Sequence, residues 1–186
     1  AASDVYKRQY QSFEKHLFAS LQDFTTPVPG VIETMEQLRR EGIRIGSTTG
    51  YTDAMMKIVQ PGAAAQGYTV DCLVIPDHLP AGRPAPYMIY RNMTELAIPS
   101  VDEVVKVGDT IADIREGLNA KVCSVGVITG SNELGLTEEE YKTMPEPELY
   151  TLKQEVRERM MAAGAHYVLD NIRELPDLIH NLMNKK

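Results

Sequence analysis

The sequence predicts an α/β protein built on a doubly wound parallel sheet, and three observations carry that prediction. Short apolar runs such as "CLVIP", "VVKVGD" and "KVCSVGVI" recur along the chain without strict alternation, as in parallel strands covered on both faces. Stretches of helical period separate them, giving strand then helix in repetition. Finally, 186 residues with 43% apolar and 24% charged side chains are enough for one domain with a full core.

The elements follow in order. Val5 to Asp23 reads as a helix, with Phe13, Leu17, Phe18 and Leu21 on one face. "TTPVPG" breaks it, and a second helix runs through Val31, Met35 and Leu38 to Arg40, where Gly42 supplies a C-terminal stop. "IRIGSTTG" is a short strand running into hydroxyl residues and a glycine. "CLVIP" (Cys72 to Pro76) is a strand, "APYMIYRNMTELAI" (Ala85 to Ile98) a helix, and "VVKVGD" (Val104 to Asp109) a strand. "TIADIREGLNA" (Thr110 to Ala120) is a helix and "KVCSVGVI" (Lys121 to Ile128) a strand. "GSNELGLTEEE" reads as a long loop, "PELYTLKQEVRERMMAAG" as a helix, "AHYVL" as a last strand and "NIRELPDLIHNLMNKK" as the closing helix.

Several function classes are disfavoured. The net charge of −7 gives no electrostatic footprint for nucleic acid or an acidic membrane. No apolar run approaches the ~20 residues that span a bilayer, and "AASDVYKRQY" has no apolar segment of the signal-peptide kind. Cys72 and Cys123 lie in strand-like runs, the setting of reduced structural thiols in a cytoplasmic protein. His16, His78, His166 and His180 share no metal-ligand spacing.

Ligands of open α/β sheets bind at the carboxyl ends of the strands, and three strand ends here carry chemistry. In "GSTTGYT" (Gly46 to Thr52) the hydroxyls, glycine and exposed backbone N–H groups suit an oxyanion. The competing reading is a plain helix N-cap by Thr49 or Thr52. In "PAGRPAP" (Pro80 to Pro86), Arg83 sits on a stiff backbone and suits a phosphate, or else is a solvated arginine in a turn. In "VVKVGDTIAD", Asp109 at the strand end suits a hard divalent cation. Asp113, one helical turn on, either ligates that cation or orients its ligands. Alternatively both acids only complement the helix N-terminus. Taken together, an anion turn, a cation and an acid pair on successive strand ends make the parts of a phosphoryl site.

"GSTTG", a basic residue and "GDTIAD" together resemble the second, third and fourth motifs of the haloacid dehalogenase superfamily. "GIRIGSTTGYT", "DCLVIPDHLPAGRPAPYMIY", "KVGDTIADIREGLNA" and "GVITGSNELGLTEEE" narrow the likeness to the phosphonoacetaldehyde hydrolase, or phosphonatase, family. It extends from about Phe13 to the last helix. The resemblance implies Rossmann-like architecture and hydrolysis of the carbon–phosphorus bond of phosphonoacetaldehyde. The chemistry pairs a Schiff-base lysine with an aspartate that attacks phosphorus. It implies Mg²⁺ as cofactor, a small-molecule phosphonate as substrate, a cytoplasmic setting and a homodimer. Residue by residue, it makes Thr49 and Gly50 the phosphate-binding turn and Arg83 the motif-three cation. Tyr51 becomes a neighbour of the substrate, Asp109 the magnesium ligand, and Asp113 the acid of the metal site.

The chain departs from that pattern at its start. The family's nucleophile strand comes first, and the lysine-bearing cap follows. Here neither group has a counterpart; Lys7 and Lys15 match no motif. The expectation is therefore that residues 1–25 are the remnant of the last cap helix, and that 26–186 form the core without its first central strand. Such a chain is expected to fold poorly alone and to be inactive alone. Two other readings stand beside this one: a phosphatase of a small phosphate ester, needing no lysine, and an inactive fragment or binding module.

Overall fold

The computed structural model describes residues 26–185, so the helix expected over Val5 to Asp23 lies outside the described residues. Residues 28–50 and 70 onward form one compact unit, and residues 51–69 belong to another.

The larger unit opens with α1 (Val31–Arg40), in which Thr34 and Leu38 are buried. The helix ends as its sequence suggests. Gly42 takes a φ of 80°, and the N–H groups of Gly42 and Ile43 turn back to the carbonyls of Arg39 and Leu38. After α1 come β1 (Gly46–Thr48) and β2 (Cys72–Val74), which pair in parallel with Gly46 opposite Cys72 and Thr48 opposite Val74. The apolar residues Ile43 and Ile45 precede this ladder, so β1 consists of the glycine and hydroxyl residues themselves. Ile45 is held to the same partner strand by Asp71: its N–H donates to Asp71 Oδ2 at 2.6 Å and its carbonyl accepts from Asp71 N at 2.7 Å.

Within the 51–69 unit, α2 (Asp53–Ala65) was not anticipated, because Pro61 and Gly62 interrupt its helical pattern. Pro61 removes one backbone donor, an ~3 kcal/mol handicap inside a helix. Thr52 compensates at the start of α2, its hydroxyl accepting from Met55 N at 3.3 Å.

Helix α3 (Tyr87–Glu95) buries Met88, Ile89 and Asn92, and β3 (Val105–Gly108), α4 (Ile111–Asn119) and β4 (Cys123–Val127) follow. A further short helix, α5 (Glu138–Thr143), lies where the sequence reads as loop; Thr137 and Glu140 cap it reciprocally. Helix α6 (Glu146–Ala162), β5 (Tyr167–Leu169) and α7 (Leu175–Met183) complete the chain.

Among the described residues all pairings are parallel, and the strands form two sheets, β1-β2 and β3-β4-β5, with no ladder between β1 and β3. The second sheet carries the main core. Ile114 from α4, Val156 and Met160 from α6, and Ile128, Leu134 and Ala165 close into one cluster. Helix α6 approaches closely because β4 has Gly126 beneath it: a Cβ there would meet Met160 Sδ at 2.6 Å. A smaller cluster of Ile89, Ala120 and Val122 backs α3.

Candidate active site

The site is built at the carboxyl ends of β1 and β3. Strand β3 ends at Gly108 because the chain must pass Asp113 there; a side chain at 108 would overlap the Asp113 Cβ. Asp109 and Thr110 follow. Thr110 is the N-cap of α4, its hydroxyl accepting from Asp113 N at 3.1 Å. Asp113 answers by accepting from Thr110 N at 3.3 Å and Thr110 Oγ1 at 2.6 Å.

Asp113 therefore does cap the helix, and does more. Its other oxygen, Oδ1, pairs with Arg83 Nη1 and with Lys106 Nζ, the latter at 3.0 Å. The side chain is only 4% exposed. Burial alone would push its carboxyl pKa up, but Lys106, the Thr110 hydroxyl and Arg83 outweigh burial and hold it below the usual carboxylate range.

Arg83 bridges this carboxylate to the β1 turn. While Nη1 engages Asp113, Nη2 lies 3.5 Å from the position a Cβ on Gly50 would take. The arginine loop, which contains a cis Arg83–Pro84 peptide, is held by Asn119 Nδ2, which donates to the Pro84 carbonyl at 2.8 Å. Arg83 is thus an anchored guanidinium lying over the Thr49–Gly50 turn, whereas a solvated arginine would have neither contact.

Asp109 has a different environment. Half-buried at the strand end, it accepts from Asn132 N at 2.9 Å through Oδ2, and Oδ1 has no hydrogen bond among the described residues. The "SNELG" loop that supplies Asn132 also sends Glu133 Oε1 to Ile111 N at 3.2 Å, capping the first turn of α4. That loop therefore frames the acid end of the site.

The structure brings together Gly50, Arg83 and Asp113, with Asp109 at the end of the same strand–helix turn as Asp113. Thr49 lies in the β1 turn beside Gly50. Tyr51 belongs to the 51–69 unit, where it is 38% exposed. Of the two hydroxyls weighed as N-caps, Thr52 is the one that caps α2.

Three residues were not anticipated. Lys106 Nζ reaches Thr48 Oγ1 at 2.9 Å and Glu116 Oε2 at 3.1 Å, and Thr48 Oγ1 also donates to Glu116 Oε2 at 3.1 Å. A lysine inside a run of valines is the available signal. Glu116, three residues after Asp113 and so on the same helix face, was the second.

The fit of a metal rests on Asp109. Its Oδ1 is an open, hard oxygen donor, whereas each Asp113 oxygen already has two partners. No group of three His, Cys, Asp or Glu suited to a metal occurs among the described residues. A single open carboxylate oxygen is a donor of the kind a hard divalent cation takes, with substrate or water oxygens filling the rest of its shell. Elsewhere the cysteines form no disulfide, and burial pushes both thiols up. His166 Nδ1 accepts from Ser124 N at 2.9 Å, a structural bond. Among the described residues no helix is long and apolar enough to cross a membrane.

The family model of the haloacid dehalogenase-like hydrolases matches residues 2–121. A phosphonoacetaldehyde hydrolase of Parabacteroides distasonis is 70% identical over 95% of this chain, which covers 67% of that relative. One of Bacteroides fragilis is 62% identical over 94% of the chain, covering 66% of that protein. The chain thus spans about two thirds of the length of these relatives. The crystal structure of a phosphonoacetaldehyde hydrolase-like protein from Oleispira antarctica superposes with a TM-score of 0.91 at 32% identity, over 98% of this chain and 66% of that one.

Proposed function

The chain belongs to the haloacid dehalogenase-like hydrolases and, within them, to the phosphonoacetaldehyde hydrolase family, and on that premise we propose that its site serves the hydrolysis of phosphonoacetaldehyde to acetaldehyde and phosphate. The observation that carries the reading is Arg83, tied through Nη1 to buried Asp113 while Nη2 lies over Gly50. A phosphonate seated there meets a fixed guanidinium on one side and the Thr49–Gly50 turn on the other. Both favour a trigonal phosphoryl group bearing negative charge.

Asp109 is the residue that would hold Mg²⁺, and the bound ion supplies neutralisation of phosphonate oxygen charge. Asp113 supports this arrangement as an anchor: it orients Arg83 and fixes the turn that presents Asp109. Tyr51 is assigned to the substrate side of the turn on sequence grounds. Cleavage of the carbon–phosphorus bond leaves its electron pair on carbon. An iminium formed between the aldehyde and a lysine amine takes up that pair as an enamine, while phosphorus passes to an aspartate and then to water. The lysine and the nucleophilic aspartate are not among the residues of the described site. What this site contributes is anion binding, charge neutralisation and orientation. The reading also carries a cytoplasmic setting, in keeping with two unpaired, half-buried cysteines, and a homodimer, which light scattering would test.

The natural full-length polypeptide decides between this substrate and an ordinary phosphate ester. Acetaldehyde released from phosphonoacetaldehyde reports directly through NADH oxidation by alcohol dehydrogenase. Borohydride added together with substrate is expected to abolish that activity by reducing the imine. Turnover of small phosphate esters without acetaldehyde release, or indifference to borohydride, would overturn the assignment.

A further inference from the structure

Lys106 is a cation on a half-buried strand, its side chain 11% exposed, with all three ammonium hydrogens matched by acceptors. They are Thr48 Oγ1 at 2.9 Å, Asp113 Oδ1 at 3.0 Å and Glu116 Oε2 at 3.1 Å. The three acceptors stand on different parts of the site: the last residue of β1, the first turn of α4 and its second turn. No backbone ladder joins β1 to β3 among the described residues. The bonds from Lys106 and Glu116 to Thr48 therefore tie the anion turn to the acid turn.

Charge follows the same geometry. Two cations, Arg83 and Lys106, face two acids, Asp113 and Glu116. Glu116 is fully buried, and its Oε1 finds no hydrogen-bond partner among the described residues. Lys106 is its ion-pair partner, and Lys106 also takes a share of Asp113. Arg83 Nη1 and Lys106 Nζ share Asp113 Oδ1, so that carboxylate does not fully offset the guanidinium charge, and Arg83 Nη2 is left for an anion above Gly50.

We infer that Lys106 is a positioning residue for the reaction: it locks the β1 turn to β3 and α4, and holds Asp113 so that Arg83 stays poised over the anion turn. The inference rests on the phosphonate-hydrolysing reading of the same site. A merely structural lysine would do no more than balance Glu116, and the two roles separate in one set of full-length variants. Lys106→Met leaves Glu116 buried without its counterion and is expected to lower the melting temperature. Lys106→Met with Glu116→Gln removes both charges and is expected to recover it. For a positioning residue the double variant remains impaired, with kcat/KM for acetaldehyde release lower by about 10- to 100-fold. Its affinity for inorganic phosphate, read by calorimetry in Mg²⁺, is expected to be weaker by roughly tenfold. Lys106→Arg keeps the charge and guards against failed folding; it is expected to melt like the wild type yet show the same direction of loss. Kinetics and phosphate affinity within about twofold of wild type in the double variant or in Lys106→Arg would overturn the proposal. Should the wild type release no acetaldehyde, the phosphonate reading fails by itself. Phosphate affinity then decides Lys106: a tenfold loss supports the role, and no loss refutes it.

Discussion

Asp113→Asn isolates the charge at the centre of this site. The carboxylate is 4% exposed and satisfies Arg83, Lys106, the Thr110 hydroxyl and the Thr110 N–H. Asparagine keeps one acceptor for the cations, but its amide cannot accept from Thr110, so the cap loses about 1 kcal/mol. Removing one partner of a buried ion pair costs about 3–5 kcal/mol. The lower end applies, because Lys106 keeps Glu116 and Thr48 as partners. We expect a net loss of about 4 kcal/mol, a melting temperature lower by roughly 8–16 °C for a chain of this size. The pH dependence is a second signature. The folded carboxyl titrates below its ordinary value, because Lys106, the Thr110 hydroxyl and Arg83 outweigh burial, so its stabilisation is fully present above pH ~4 and fades as pH falls through the folded value. Urea titrations from pH 7 down to pH 3 should therefore show the gap between wild type and variant narrowing below pH ~4. Equal stability at pH 7, or a gap that does not change with pH, would refute the assignment of Asp113 as a buried, paired carboxylate.

Other substitutions probe the neighbouring contacts. Asp109→Asn is expected to weaken Mg²⁺ binding in calorimetry by at least tenfold with less than about 1 kcal/mol of destabilisation, since Asp109 has a single backbone partner. Chelation of the wild type by EDTA should likewise abolish acetaldehyde release, with recovery on adding Mg²⁺. Gly108→Ala forces a methyl onto the Asp113 side chain and is expected to cost about 1–3 kcal/mol in denaturant melts. Glu133→Ala removes the acceptor for Ile111 N and should cost about 1 kcal/mol while leaving inorganic phosphate affinity unchanged.

The parts of this fold that depend on local signals were readable from the sequence. The apolar run before Gly108, the Thr110 cap and the period of Ile114 and Leu118 define β3 and α4 within a residue of their observed limits. Gly42 likewise marked the end of α1. Where local signals conflict, sequence pattern and structure diverge. Pro61 masks α2, although Thr52 before Asp53 marks its start, and the glutamates of "TEEE" read as loop although Thr137 and Glu140 form a capping box. Strand β1 was displaced from its apolar residues because ladder position is set by the partner strand, which lies over twenty residues away at Cys72. The same limit applies to the site. Spacing placed Asp109 and Asp113 one turn apart, but the sharing of Asp113 between Arg83 and Lys106 is tertiary. Only the juxtaposition of β1 with α4 explains why Glu116 is buried with Thr48 instead of facing water.

Arg83 is the residue on which phosphoryl stabilisation at this site turns. Mg²⁺-dependent acetaldehyde release by the full-length Arg83→Met variant, measured beside the wild type, tests whether the guanidinium over Gly50 stabilises the phosphoryl group. A loss of at least 100-fold in kcat/KM is predicted, the scale on which preorganised charge at such sites acts. An Arg83→Met enzyme that folds and turns over phosphonoacetaldehyde within a few-fold of wild type would contradict it.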